Sequence, residues 1–442
     1  RELIKILQVR NIDSFVESRR QKTSEKDKKT VQSILNDVRK NGDSAVKKYE
    51  RKFNGRNTSQ LRVSAKEIKE ARSKISRKER SALKGIKIME AGLRQNLEDW
   101  GNTFRKSNGE VITASDFYAL ARKRGSSYRT RTFIPIPSVG CYIPGGQARY
   151  PSSAAMAVIP ARQAGVKRIV VVSPPGRDGK IDPLTIVAAK MCGATEIYKV
   201  GGAQAIGALA YGTKSIPKVD KIVGPGGKFV SIAKSLVSDQ TAIDMVAGPT
   251  ELGILADASS DPELIALDLI AQAEHSKDTM CFVITQSKTV AKQIQKSIEK
   301  LIPGTERSSI IKDSISKNGF IAVCKNQNEV IELANKIAPE HLELMVKNAK
   351  SLSKKITGAG LVLIGKNTPS SASDYLLGTN HILPTNGFGR TRGGLSVLDF
   401  LKLQTVVVSK KSSLRSIVED LKTLTDAEDL PNHYKAVKRR LE

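Results

Sequence analysis

Twice between residues 196 and 237 a short apolar run ends in glycines that open a helix. The first joint runs Glu196 to Val200, then Gly201-Gly202-Ala203-Gln204 and a helix to Tyr211. The second runs Lys221 to Val223, then Gly224-Pro225-Gly226-Gly227 and a helix to Val237. Repeated strand–glycine–helix joints restrict a chain to βαβ units on a parallel sheet. The pattern extends both ways. Arg168 to Ser173 reads as a strand and Pro183 to Met191 as a helix. After Gly248-Pro249-Thr250-Glu251, strands follow at Leu252 to Ala256, Cys281 to Thr285, Phe320 to Val323 and Leu361 to Ile364. Two α/β blocks result, roughly 141–249 and 250–390, alike in grain, which hints at a duplicated unit. The expected class is α/β, with two Rossmann-like parallel-sheet domains, a helical N-terminal region and a small C-terminal tail domain. At each glycine joint, backbone amides can face a phosphate or another polar ligand. Neither joint spells GxGxxG, and no acid follows the first one where a ribose would need it. Glycines that merely let helix and strand pack closely are an equal reading.

Outside the blocks the texture differs. Residues 1 to about 110 read as charged amphipathic helices, with an apolar stripe of Val31, Ile34, Leu35, Val38 and Val46 and a break at Gly42-Asp43. Ile68 to Ala91 forms another such run. From Phe133 to Gly146, prolines and glycines make a rigid, loop-rich segment before the helix start at Pro151-Ser152-Ser153. From about Leu395 the chain has one strand, Thr405 to Ser409, and a charged helix.

Composition excludes several classes. A chain of 442 residues with 39% hydrophobic content is too long for one core and too apolar for disorder. No apolar run is long enough to cross a bilayer. The start, Arg1-Glu2-Leu3-Ile4-Lys5, has neither the apolar segment of a signal peptide nor a methionine, so a trimmed start and a cytoplasmic location are expected. Cys141, Cys192, Cys281 and Cys324 form no CxxC pair, and buried thiols are expected. The net charge of +29 could attract nucleic acid, but the basic residues are spread along the chain and aromatics are 5%. A solvated basic surface is the preferred reading, with nucleic-acid binding second.

Chemistry concentrates late in the chain. Ser260 or Asp261 can cap a helix with Pro262 in its first turn and Leu264, Leu267, Ile270 and Ala271 as its apolar face. In its last turn Gln272 and His275, three apart, leave one side together. An amide oxygen beside an imidazole can begin a metal site. By themselves these two fit better a solvated amide and a cation at a helix C-terminus. The four histidines, His275, His341, His381 and His433, all have an acid or amide close by. Pro339-Glu340-His341 sets a carboxylate beside an imidazole at a rigid loop or first helical turn. An imidazole can take a proton from an alcohol, and a carboxylate can activate water. The alternative is a plain helix start with Glu340 favoured by the dipole.

Taken together, the residues resemble the histidinol dehydrogenases from about Val31 to Lys438. The matching stretches are Val139 to Gly146, Tyr150 to Ser153, Val200 to Ile206, Gly224-Pro225-Gly226, Ala247-Gly248-Pro249, Gln272-Ala273-Glu274-His275, Ala338 to Glu343, Ser373-Asp374-Tyr375, Gly378 to Thr385 and Glu428 to His433. The resemblance implies oxidation of L-histidinol to L-histidine through bound L-histidinal with two NAD+, the last step of histidine biosynthesis. It implies one Zn2+ per subunit, held by Gln272, His275, Asp374 and His433, and Glu340 and His341 as the acid–base pair. Substrate contacts would come from Thr250, Gln272, His275, His341, Asp374, Glu428 and His433. NAD contacts would come from Tyr142 and Gln204, and His381 would line the pocket. It also implies a homodimer in which the tail, with Glu428 and His433, completes the neighbouring site. The implied division is an N-terminal arm at 1–30, a main domain of 31–140 and 250–394, a second domain at 141–249 and a tail at 395–442. Two departures stand out. Gly227 replaces the family's usual Asn after Gly-Pro-Gly, and Thr250 replaces its usual Ser. The other readings are a relative that oxidises another amino alcohol or a sulfonated diol, and a basic, non-catalytic nucleic-acid-binding protein.

Overall fold

The apolar runs flanked by glycine become two fully parallel sheets. The fold is known from a computed structural model, which describes residues 3–20, 23–55, 60–85, 104–105, 111–112, 128–145 and 149–442. The end of the helical run expected at Ile68 to Ala91 lies outside the described residues from 86 on, as does Gly146. The chain divides into two units, residues 1–90 with 137–399, and 91–136 with 400–442.

In the first unit, a five-stranded sheet places Glu196–Lys199, Arg168–Ser173, Ser138–Tyr142, Lys221–Val223 and Ala242–Ile243 side by side, all parallel. In chain order this is 3-2-1-4-5. A six-stranded parallel sheet places Lys5–Gln8, Phe320–Val323, Met280–Thr285, Glu251–Ala256, His341–Met345 and Leu361–Ile364 side by side. Without its first edge strand it repeats the order 3-2-1-4-5. The two blocks therefore share a topology, as well as the grain seen in their letters. Strands covered by helices on both faces read as unbroken apolar runs, and the buried segments Arg168–Ser173 and Phe320–Val323 do.

Three strands of the first unit are the most instructive departures from the expectations. Ser138–Tyr142 lies inside the segment read as loop, yet every residue of it is buried in the middle of its sheet. Its Gly140 hides the apolar pattern because a Cβ there would stand 2.8 Å from Leu209 Cδ1, so glycine lets the helix approach. Lys5–Gln8, read as helix, pairs in register with Phe320–Val323. His341–Met345 is a strand, not the start of a helix: the preceding helix Gln327–Ile337 ends at Ala338 with φ 51°, and Pro339 comes directly after that end. Along His-Leu-Glu-Leu-Met, alternation then puts His341 and Glu343 on one face of the strand.

The long helix Glu25–Asn54 breaks at Gly42, where φ 51° and ψ −129° are non-helical, at the expected place. Its Val31, Ile34, Leu35 and Val38 share one core with Val170, Val172 and Ile206, the core of the five-stranded sheet. Burying each such side chain stabilises by about 1.5–3 kcal/mol. In the helix Pro262–Ala273, Asp261 accepts from the backbone N–H groups of Glu263 and Leu264 at 2.9 and 3.3 Å. The buried face is the expected one only in part: Ile270 is buried and Leu264 packs against the core. Ile265, Leu269 and Gln272 point inward and Leu267 is 45% exposed. All four cysteines are free and buried, as expected.

The second unit pairs Tyr128–Pro135 antiparallel with Leu401–Val408, followed by helices Lys411–Ala427 and Pro431–Arg439. The tail strand thus starts earlier than Thr405, and the charged tail contains two helices rather than one. Among the described residues no helix is long and apolar enough to cross a membrane.

Candidate active site

The inward turn of the Pro262–Ala273 helix starts a chain of hydrogen bonds. Gln272 is 2% exposed, so the solvated-amide reading does not hold. Its Nε2 donates to Thr250 Oγ1 at 2.6 Å, and that hydroxyl donates to Glu340 Oε2 at 2.5 Å. The backbone N–H of Glu251 reaches the same Oε2 at 2.9 Å. Because the amide donates to Thr250, the Gln272 oxygen is turned away from it. Glu251 returns the contact: its carboxylate accepts the Glu340 N–H at 3.2 Å and the Asn386 N–H at 2.9 Å. Thr250-Glu251 and Glu340-His341 stand together because Leu252 and His341 are register partners on adjacent strands.

His341 is the hub. Its Nδ1 lies 3.3 Å from the Glu251 carbonyl and its Nε2 lies 3.2 Å from Asp374 Oδ1. A carbonyl and a carboxylate only accept, so with both contacts made each ring nitrogen donates an N–H and the ring is cationic; Nε2, on the carboxylate, is the nitrogen that exchanges its proton. Burial would lower the His341 pKa, but the Glu340 charge and then the Asp374 bond outweigh it and raise it to about 9. Burial pushes Glu340 upward against the His341 charge and the Thr250 bond. At Asp374 burial also pushes upward, but the His341 hydrogen bond and charge win and hold the carboxyl below its ordinary value.

Asp374 caps the short Ser370–Ser373 helix. Its backbone carbonyl accepts from His381 Nδ1 at 2.8 Å, while His381 Nε2 meets Ser153 Oγ at 3.0 Å. Both His381 nitrogens are thus used within the protein, which makes His381 a brace for Asp374. Ser153 belongs to the buried helix Pro151–Gln163 that follows the central strand of the five-stranded sheet. His275, just past the helix end, is exposed at its surface. Desolvation nevertheless lowers its pKa against the pull of Asp374 and Glu274, which favours the neutral imidazole over a helix-end cation.

Behind the cluster lies a further acid. Glu343, on the His341 face of its strand, accepts the Ser370 N–H at 2.7 Å and so anchors the start of the helix that carries Asp374. Burial first, then neighbouring Asp268, push Glu343 up to about 8. A carboxyl with a raised folded pKa binds more protons folded than unfolded, so its contribution to stability declines as pH rises from its unfolded value, near 4, toward 8. Glu343→Gln keeps an acceptor for Ser370 and removes the titration. Between pH 5 and 8.5 the stability of the variant, followed through its thermal midpoint, should fall less than that of the parent, by an amount on the order of 1–3 kcal/mol. Parallel midpoint curves would refute this.

Ligands in doubly wound sheets usually sit at the carboxyl ends of strands. The acid–base cluster instead gathers at the amino ends of the Glu251–Ala256 and His341–Met345 strands. The carboxyl end of that sheet is closed by its own chain: Asp257 accepts the Lys347 N–H at 3.0 Å and Ser260 Oγ donates to the Met345 carbonyl at 2.5 Å. Tyr142 lies at the carboxyl end of the five-stranded sheet, where the strand order reverses beside the Gly224 turn. At the first glycine joint the expectation of amides open to a phosphate is not met. The Gly201 N–H donates to Glu50 Oε1 at 2.9 Å, and the Gly202 N–H donates to the Tyr142 hydroxyl at 3.1 Å. At the second joint, Gly224 is clamped by a buried ion pair: its N–H donates to Asp244 at 2.8 Å and its carbonyl accepts from Lys234 at 2.9 Å. Gly227 is the N-cap of the helix Lys228–Val237, and a side chain there would meet open space.

Thr250, Gln272, Glu340, His341 and Asp374 are therefore brought together in the first unit. Glu428 and His433 belong to the second, where both are exposed, Glu428 at the end of the Lys411–Ala427 helix and His433 in the helix after it. Among the described residues no group of three or more His, Cys, Asp or Glu side chains is arranged to hold a metal ion. Sequence reasoning missed Glu50, Ser153, Glu251 and Asn386. Glu251 was next to Thr250 in plain view, but only as the first letter of a strand.

Comparison with known proteins shows the family. The histidinol dehydrogenase family profile matches residues 17–441. A histidinol dehydrogenase of Methanococcus maripaludis is 43% identical over 417 residues, covering 93% of each chain. One of Bacillus licheniformis is 39% identical over 417 residues, covering 94% of each. The crystal structure of histidinol dehydrogenase from Elizabethkingia anophelis matches with a TM-score of 0.88 at 32% identity, over 100% of this chain and 98% of that one. With the match spanning both units and every residue of the Thr250–Gln272–Glu340–His341–Asp374 cluster, the chain belongs to the histidinol dehydrogenase family.

Proposed function

We propose that this histidinol dehydrogenase oxidises L-histidinol to L-histidine through bound L-histidinal, using two NAD+ and one zinc ion per subunit, as the last step of histidine biosynthesis. The observation that carries it is the His341 hub, an imidazole between two carboxylates at the end of the Gln272–Thr250–Glu340 chain. The donors fit zinc by type: a neutral imidazole on His275, a carboxylate on Asp374, the outward amide oxygen of Gln272, and the exposed imidazole of His433. When bound, zinc supplies orientation of the substrate's nitrogens, and NAD+ supplies the hydride acceptor.

The protein's own groups handle the protons. His341, with Nδ1 tied to the Glu251 carbonyl, acts as base in the form whose Nε2 has given up its proton; it takes the alcohol proton there and does so again from the aldehyde hydrate. Glu340 has its Oε2 committed to Thr250 and Glu251, which leaves Oε1 to take a proton from the water that adds to the aldehyde. Thr250 and Gln272 keep that carboxylate aimed. Tyr142 and Gln204 contact the cofactor, and Glu428 contacts the substrate. The chain acts in the cytoplasm as a homodimer whose tail completes the neighbouring site. The exposed Leu403, Val406, Val407 and Val408 of the second unit support such an association, because apolar patches of this kind mark contact surfaces.

The test is to strip metal with a chelator, restore zinc, and count NADH against histidine formed from L-histidinol. The expected result is loss of turnover on chelation, recovery with zinc, and two NADH per histidine. Turnover that survives chelation would remove zinc, and a ratio of one would remove the second oxidation. Inactivity on histidinol with activity on another amino alcohol would move the substrate.

A further inference from the structure

We infer that Glu50 is a positioning residue that turns the oxygen of Gln204 toward the cofactor, so that this joint recognises a hydroxyl or amino group of the nucleotide and not its phosphate. The inference rests on the cofactor reading of Gln204 given above. Glu50 comes from the long helix Glu25–Asn54 and is fully buried. Its Oε1 accepts the Gly201 N–H at 2.9 Å and Gln204 Nε2 at 2.8 Å. A carboxylate therefore already sits at the N-terminus of the helix Gly202–Tyr211, the place where a phosphate binds in dinucleotide folds. A second anion there would meet like charge in a buried setting.

The same contact decides what Gln204 can offer. A carboxylate oxygen only accepts, so the Gln204 atom facing Glu50 is the nitrogen, and the amide cannot flip without losing that bond. The other amide atom, Oε1, is buried and has no hydrogen-bond partner among the described residues, and Gln204 as a whole is 1% exposed. A buried acceptor without a partner is costly unless a ligand supplies one. Gln204 borders a cavity of about 740 Å³, together with Gly201, Gly202, Lys52, Phe53 and Phe229. That volume suits a nucleoside, and the two phenylalanines suit its rings. The donor owed to Gln204 Oε1 is thus a ribose hydroxyl or an amino group.

The experiment is direct titration of NAD+ by calorimetry, without substrate or turnover, on the parent, Gln204→Met, Glu50→Gln and the double variant. Gln204→Met keeps the shape and removes the acceptor, and Kd should rise about tenfold, the size of one hydrogen bond. Glu50→Gln lets the Gln204 amide turn and should weaken binding by a similar factor. The double variant should bind no worse than Gln204→Met, because Glu50 acts through the amide that is already gone. A merely structural Glu50 predicts instead that the two losses multiply, and that outcome overturns the inference, as does an unchanged Kd in Gln204→Met. If Glu50→Gln does not fold, adenosine and nicotinamide riboside are titrated into the parent and Gln204→Met. Loss of the same factor for one of these phosphate-free nucleosides supports the inference, and loss for neither overturns it. A parent that binds no NAD+ at all fails the cofactor reading itself, a result seen before any variant is compared.

Discussion

Alanine at His341 should lower turnover of both histidinol and histidinal by about three orders of magnitude, within the range general acid–base catalysis contributes. The ring is 2% exposed and holds three groups in place: the Glu251 carbonyl, the Asp374 carboxylate and, at 3.8 Å, the Glu340 carboxylate. His381 cannot substitute, because both its nitrogens are taken by the Asp374 carbonyl and Ser153. The two substrates should be assayed separately at saturating NAD+. Both rates should fall together, since the same Nε2 takes the proton in each hydride loss. Removing the ring also leaves Glu340 and Asp374 without their shared cationic partner, so stability should drop, by about 1–3 kcal/mol. His341→Asn, which restores bulk and a donor, should recover part of that stability and none of the rate. Turnover within tenfold of the parent in either variant would end the role proposed for His341.

Glutamine at Glu340 should separate the two oxidations. Glu340 Oε2 accepts both the Thr250 hydroxyl and the Glu251 N–H. The oxygen of glutamine can take that place, so the Gln272–Thr250 chain stays intact. The amide nitrogen then faces the site and cannot accept a proton from water. Conversion of histidinal to histidine should slow by about 10²–10³-fold, whereas oxidation of histidinol should lose no more than about tenfold. Single-turnover measurement from each substrate distinguishes the steps. Equal losses would show that Glu340 supports the site as a whole and does not activate water.

Much of the architecture was legible because it rests on local chemistry. Arg168–Ser173, Lys221–Val223, Phe320–Val323 and Leu361–Ile364 stand where their apolar runs lie between glycine, proline and polar breaks. Gly42 breaks its helix where Gly42-Asp43 interrupts the stripe. The failures have physical causes too. In Ser138–Tyr142 the letters Ser and Gly conceal a central strand, since a close helix demands the glycine. Pro339 stands just past a helix end and not at a helix start, a distinction set by the positive φ of Ala338. On the Pro262–Ala273 helix both faces carry leucine or isoleucine, and only packing shows that Gln272 faces inward.

By itself the sequence determined the class of the fold, two blocks of parallel βαβ units, and set a carboxylate beside an imidazole, because Glu340 and His341 are neighbours in the chain. Only the tertiary structure decided what those two can do. The register of Leu252 against His341 brings Thr250 and Glu251 to the pair from about ninety residues away. A bond from Ser153 to His381 spans 228 residues to brace the backbone of Asp374. Glu50 reaches Gln204 across 154 residues and turns a glycine-rich helix start into a filled one. Hydrogen bonds depend on distances of about 3 Å between particular atoms, and at such separations in sequence those distances are set by how helices and strands pack.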